Sequence, residues 1–194
     1  MSKQRERWYR AVIAVLLIGT AVLLIRVYAL NHAQGLTYYR MSQGMVGSWY
    51  QAHDHLGAAL DPLTYRPIRL APARALELAE QDLLRAELAS TMYGTVLDHG
   101  FGEFSSSTML GALMVHYANE IRAIRLQLAD TVFLTPPMIE SLTLLRADLE
   151  SLMALLPTEV LREANRPTVT RILNWDLRRT LLHPVARQML GTGN

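Results

Sequence analysis

Two stretches of this chain carry the same apolar rhythm, and that rhythm narrows the folds open to it more than any other feature. Leu110, Met114, Tyr117, Ile121, Ile124 and Leu128 follow one another at spacings of 4-3-4-3-4, and so do Met138, Leu142, Leu145, Leu149, Leu152 and Leu156. On a helix such spacings place every member of a set on one face, which is the seam of a bundle or coiled coil. Thr135-Pro136-Pro137 lies between the two sets and supplies an N-cap with proline at the first helical position. Pro157 ends the second set. Helices over 108–133 and from Pro136 to 156, joined by a tight turn, read as an antiparallel hairpin.

The rest of the chain extends this pattern. A helix is expected from Pro72 to residue 97, with Leu76, Ala79, Leu83, Ala86, Tyr93 and Leu97 as its stripe and Ser90 interrupting it. Before it, Tyr38, Met41, Met45, Trp49, Ala52 and Leu56 recur at helical spacing, weakened by Gly44 and Gly47. Residues 57–71, with Pro62 and Pro67, read as a loop. After Pro157 a short helix over 158–164 and another over 168–182 are expected, the latter lined by Val169, Leu173, Leu177 and Leu181. No segment of useful length alternates polar and apolar residues. The fold class is therefore all-α: an antiparallel four-helix-type bundle with an extra C-terminal helix.

The N-terminal segment differs in kind. Residues 11–25 are AVIAVLLIGTAVLLI, without a charge, and the apolar stretch reaches Leu30 with Arg26 as its one charged member. About 20 residues at about 1.5 Å each match a hydrocarbon core of about 30 Å. Arg26 lies one turn from the far end, where its guanidinium can reach the headgroups. Trp8, Tyr9 and Tyr28 fall near the two interfaces. Lys3, Arg5, Arg7 and Arg10 precede the run, which by the positive-inside rule predicts a cytoplasmic N-terminus. The expected division is a cytoplasmic flank over 1–10, a transmembrane anchor over 11–30 and an extracytoplasmic helical domain over 31–194. A cleaved signal peptide, with Val27-Tyr28-Ala29 as its cleavage site, and a buried soluble helix are the rival readings.

Charge and cysteine content close several routes. The formal net charge is +2, yet beyond residue 30 there are 14 basic against 16 acidic residues. The body has no basic balance, which argues against nucleic-acid binding. The absence of cysteine excludes disulfides, thiolate catalysis and Cys-ligated metals.

Few residues invite a chemical reading. His53-Asp54-His55 offers imidazole and carboxylate to a metal, with His99 as a third candidate. On a helix, however, residues two apart face opposite ways, so solvated histidines at a helix end are the plainer expectation. Phe101 and Phe104 sit in the glycine-containing loop over 98–104, either as a partner contact or folded back over the bundle end. Arg171, Arg178 and Arg179 belong to a local basic patch that suits an acidic partner or a solvated face. Glu77 and Glu80 fit an ordinary helix surface. Neither a zinc-protease, a nucleophile-elbow, a P-loop nor a dinucleotide motif is present. No catalytic residue and no cofactor is expected. The sequence points to a membrane-anchored interaction module that touches lipid through residues 11–30 and a protein partner, or a second copy, through its bundle. A small-ligand or metal-binding sensor-like bundle is the alternative.

Overall fold

In the computed structural model the described residues are 3–61, 70–98, 106–131, 133–157 and 176–189. Every regular element among them is a helix: α1 (Lys3–Leu60), α2 (Pro72–Asp98), α3 (Ser106–Thr131), α4 (Pro136–Leu155), α5 (Leu177–Thr180) and α6 (Pro184–Met189). The chain forms two compact units, Met1–Thr37 and Tyr38–Asn194.

The second unit is a helical bundle, and its contacts follow from the predicted seams. All twelve seam residues of α3 and α4 are buried, as are Met45, Trp49, Ala52 and Leu56 of α1 and Leu76, Ala79, Leu83 and Ala86 of α2. Among the described residues Trp49 and Tyr117 are the largest fully buried side chains. Ser90 breaks the α2 stripe without leaving the core. It is buried, and its hydroxyl lies 2.8 Å from the Ala86 carbonyl oxygen and 2.9 Å from the Met45 sulfur. A hydroxyl satisfied by its own preceding turn escapes the cost of burying an unpaired donor.

Polar contacts fix the direction of neighbouring helices. Met45 of α1 meets Ser90 of α2, and His55 meets Asp82, so residue numbers rise on one helix as they fall on the other. The same holds for α2 and α3, where Glu80 meets Arg122 and Gly111 lies against Glu87 and Thr91. It holds again for α3 and α4, through Tyr117 with Asp148 and Glu120 with Ser141. His53 with Glu150 joins α4 back to α1. Each sequential pair is antiparallel, as short connections between helices dictate.

Helix ends depart from the expected boundaries in several places, among them both ends of α3, which lie two residues earlier than expected. First, α1 runs through Gly35 and ends only at Leu60, so residues 57–60 are helix where a loop is expected. Next, α4 starts as predicted, with Thr135 in extended backbone and its carbonyl accepting from the Ile139 N–H at 3.0 Å, and stops at the residue before Leu156 and Pro157. Finally, the C-terminal helix expected over 168–182 is described only from Asp176. It breaks after Thr180, and a further helix, α6, begins at Pro184. The helix expected over 158–164 lies outside the described residues.

The first unit belongs to α1. Its described apolar side chains are exposed, from Val12 and Ile13 to Tyr28 and Leu30. Among the described residues no helix is long and apolar enough to cross a membrane. The unbroken run of described side chains in this segment is residues 15–30, and it includes Arg26. The crossing expected for residues 11–30 is thus not shown.

Candidate functional site

The bundle places its polar groups in three clusters, each built across a helix pair. In the first, the two histidines of the His53-Asp54-His55 stretch go to different neighbours. His53 Nε2 lies 2.8 Å from Glu150 Oε1 of α4, and the Arg146 Nε–H points at the same nitrogen from 3.1 Å. A donor and an acceptor thus compete for one ring nitrogen, and the ring's tautomer decides which is satisfied. His55 turns the other way. Its Nδ1 lies 2.7 Å from Asp82 Oδ2 of α2, and Arg85 donates to Oδ1 of the same carboxylate at 2.8 Å. The side chains of His53 and His55 are only 13% and 16% exposed, so neither is the solvated histidine that their place near a helix end suggests. The helical spacing separates the two rings, as expected from geometry. Among the described residues no group of three or more His, Asp or Glu side chains is placed to hold a metal ion.

The second cluster overturns the surface reading of Glu80. Glu77 does lie on the surface, where a hydrogen bond from Arg74 at 2.6 Å is the main cause holding its carboxyl below the usual range. Glu80, one turn on, is buried. It receives Arg122 Nε at 2.7 Å and Arg125 Nη2 at 3.1 Å, both from α3. A carboxylate held by two guanidinium groups ties α2 to α3 and sets their register.

The third cluster centres on Asp148, whose side chain is wholly buried in α4. It accepts the Tyr117 hydroxyl at 2.5 Å, the backbone N–H of His183 at 3.0 Å, and the backbone N–H of Leu182. Burial is the main cause raising the Tyr117 phenol far above its ordinary value, and the Asp148 charge adds to it, so the hydroxyl stays a donor. The His183 ring stands edge-on to Tyr117 with centroids 5.5 Å apart. Its Nε2 lies 3.1 Å from Ser141 Oγ, and Ser141 Oγ lies 3.0 Å from Glu120 Oε1. Serine, histidine and aspartate meet here, yet not as a hydrolytic triad. Asp148 bonds the histidine's backbone N–H and leaves the ring's orientation to other groups, unlike the acid of such a triad.

No known protein family, curated protein or solved structure matches this chain. Its geometry is therefore the whole basis for a functional reading.

The third metal candidate, His99, and the partner-contact candidates divide by location. His99, Phe101, Phe104 and Arg171 lie outside the described residues. Arg178 is in α5, with its side chain outside the described set, and Arg179 is exposed. None is brought into the three clusters by a described contact. Sequence reasoning missed Asp148, Glu80, Asp82 and His183. An acid beside a leucine seam was the available signal for Asp148, since a carboxylate next to Leu145, Leu149 and Leu152 lies at the border of the interior face. His183 was legible as the residue before Pro184, a natural helix N-cap.

Proposed function

We propose that this chain is a membrane-anchored helical interaction module. Residues 11–30 sit in the bilayer, the N-terminus lies in the cytoplasm, and residues 31–194 form an extracytoplasmic antiparallel four-helix-type bundle with an extra C-terminal helix. The bundle binds protein partners, as an accessory or assembly subunit of a cell-envelope complex.

One observation carries this reading. Leu16, Leu17 and Ile18 are 64%, 66% and 64% exposed, and successive residues on a helix point about 100° apart. The helix is thus apolar on all sides in that region. A helix made to meet one protein surface keeps a polar face. Hydrocarbon, apolar in every direction, is a solvent that suits this one. Trp8, Val12, Val15 and Leu16 border a shallow apolar hollow on the same stretch. The bundle's own clusters bind helix to helix, which fits a scaffold for partners better than a reaction site.

The test is topology. A reporter active only outside the cytoplasm, fused after Asn194, is expected to be active on a membrane-bound chain whose mass includes residues 1–30. A mature chain starting near Leu30 would mean a secreted domain. An inactive reporter would put the bundle inside and overturn the reading. Affinity capture and light scattering on the solubilised full chain address the partner, and a strict monomer that captures nothing counts against the interaction role.

A further inference from the structure

The C-terminal segment over residues 181–189 is fastened to the bundle at one buried junction. Leu181, His183 and Ala186 are buried there. Asp148 of α4 holds the backbone N–H groups of Leu182 and His183. The two nitrogens of the His183 ring have opposite tasks. Nδ1 accepts the Val185 backbone N–H at 3.3 Å, so the ring caps the start of α6. Nε2 faces Ser141 Oγ at 3.1 Å, and the Ser141 hydroxyl donates to Glu120 at 3.0 Å. With its own proton given to Glu120, Ser141 can only accept from Nε2. A single state of the ring, neutral with the proton on Nε2, satisfies all three bonds.

We propose that this junction is a pH-operated latch: a proton on His183 Nδ1 sets a donor against the Val185 N–H, breaks the cap and loosens residues 181–189 from α3 and α4. Loosening bares the seats of Leu181 and Ala186.

Among the described residues, the charged groups acting on the ring are Asp148 on α4 and Glu120 on α3, the latter reached through Ser141, while Tyr117 on α3 faces it as a neutral phenol. Both carboxylates favour the protonated ring, and burial opposes it more strongly, so His183 is held below its ordinary value. Neither carboxylate supplies an acceptor at Nδ1, which Val185 occupies. The sign follows from linkage. The released segment takes up a proton near the ordinary histidine value of 6.5, and the docked one only at lower pH. Docking is therefore complete above the ordinary value and is lost progressively as pH falls from it toward the docked value. The latch is independent of where the chain resides.

The chain has no cysteine, so Ala186→Cys in the full-length, detergent-solubilised protein introduces a single reporter thiol. Labelling rates in the native chain are divided into those of the urea-unfolded chain at the same pH, which cancels thiolate chemistry. Protection is expected to fall by about threefold or more between about pH 7.5 and about pH 5.5. In the His183→Asn background, where the amide still caps but does not titrate, protection is expected to stay level. Protection that ignores pH with His183 present, or falls equally in His183→Asn, overturns the latch. Should Ala186→Cys itself prevent docking, nitrogen-15 shifts of the His183 ring in the otherwise unaltered chain decide. A proton on Nε2 with a midpoint below 6.5 sustains the proposal, and a proton on Nδ1 or a midpoint at or above 6.5 overturns it.

Discussion

At Asp148 one carboxylate serves three donors from two parts of the chain: Tyr117 of α3 and the adjacent backbone N–H groups of Leu182 and His183. Removing its charge leaves buried donors short of an acceptor. Asp148→Asn is expected to lower unfolding free energy by about 2–4 kcal/mol in urea denaturation. Tyr117→Phe removes one donor and is expected to cost about 1–2 kcal/mol. Because the two groups share a bond, the double variant should cost less than the separate losses combined, by about 1 kcal/mol. Strict additivity would mean that the Tyr117–Asp148 contact contributes nothing. Glu80 is a parallel case, since Glu80→Gln leaves Arg122 and Arg125 without their shared charge. A loss of about 1.5–3 kcal/mol is expected, and it should shrink little with salt because the carboxylate is buried.

Among the helices, glycines test whether packing or backbone propensity governs. Gly44 and Gly47 face outward on α1, and a methyl group at either position would meet nothing within 4 Å. Alanine at each is expected to stabilise the chain by about 0.5–1 kcal/mol, read as a raised midpoint in thermal denaturation. Gly111 on α3 is different. A methyl group there would lie 3.1 Å from Thr91 Oγ1 and 3.6 Å from the Glu87 carbonyl oxygen, so this glycine lets α2 and α3 approach closely. Gly111→Ala should forfeit the gain seen at the other two sites. In the seams, Leu145→Ala and Leu149→Ala each remove a fully buried side chain and are expected to cost about 2–5 kcal/mol.

On the scale of the whole molecule, the unit Met1–Thr37 and the unit Tyr38–Asn194 differ in what they leave to solvent. The second buries its seams within itself, so residues 38–194 are expected to unfold cooperatively without the first 37 residues. Loss of the helical circular-dichroism signal in that fragment would show that the bundle depends on the N-terminal helix. The first unit leaves its described apolar side chains uncovered. Under the membrane reading, Leu17→Arg with Ile18→Arg should move the chain out of the membrane fraction, since a charge at mid-bilayer costs about 2.5–3.5 kcal/mol on insertion scales. Retention of that variant in the membrane would argue that something other than residues 11–30 holds it there.

The two apolar seams, the α2 stripe as far as Ala86, the proline-led starts of α2 and α4 and the stop at Pro157 were legible in the sequence, because helical periodicity, capping and proline's missing N–H act within a few residues of chain. The same local rules separated His53 from His55. What lay beyond them was partner choice. Whether Glu80 is a surface acid or a buried tie depends on which helix lies opposite it, and whether Asp148 is a fault in a seam or the anchor of α6 depends on a segment 34 residues downstream. Buried polar groups are settled by whatever donor or acceptor the fold brings within hydrogen-bond reach, and that proximity exists only once the helices have packed.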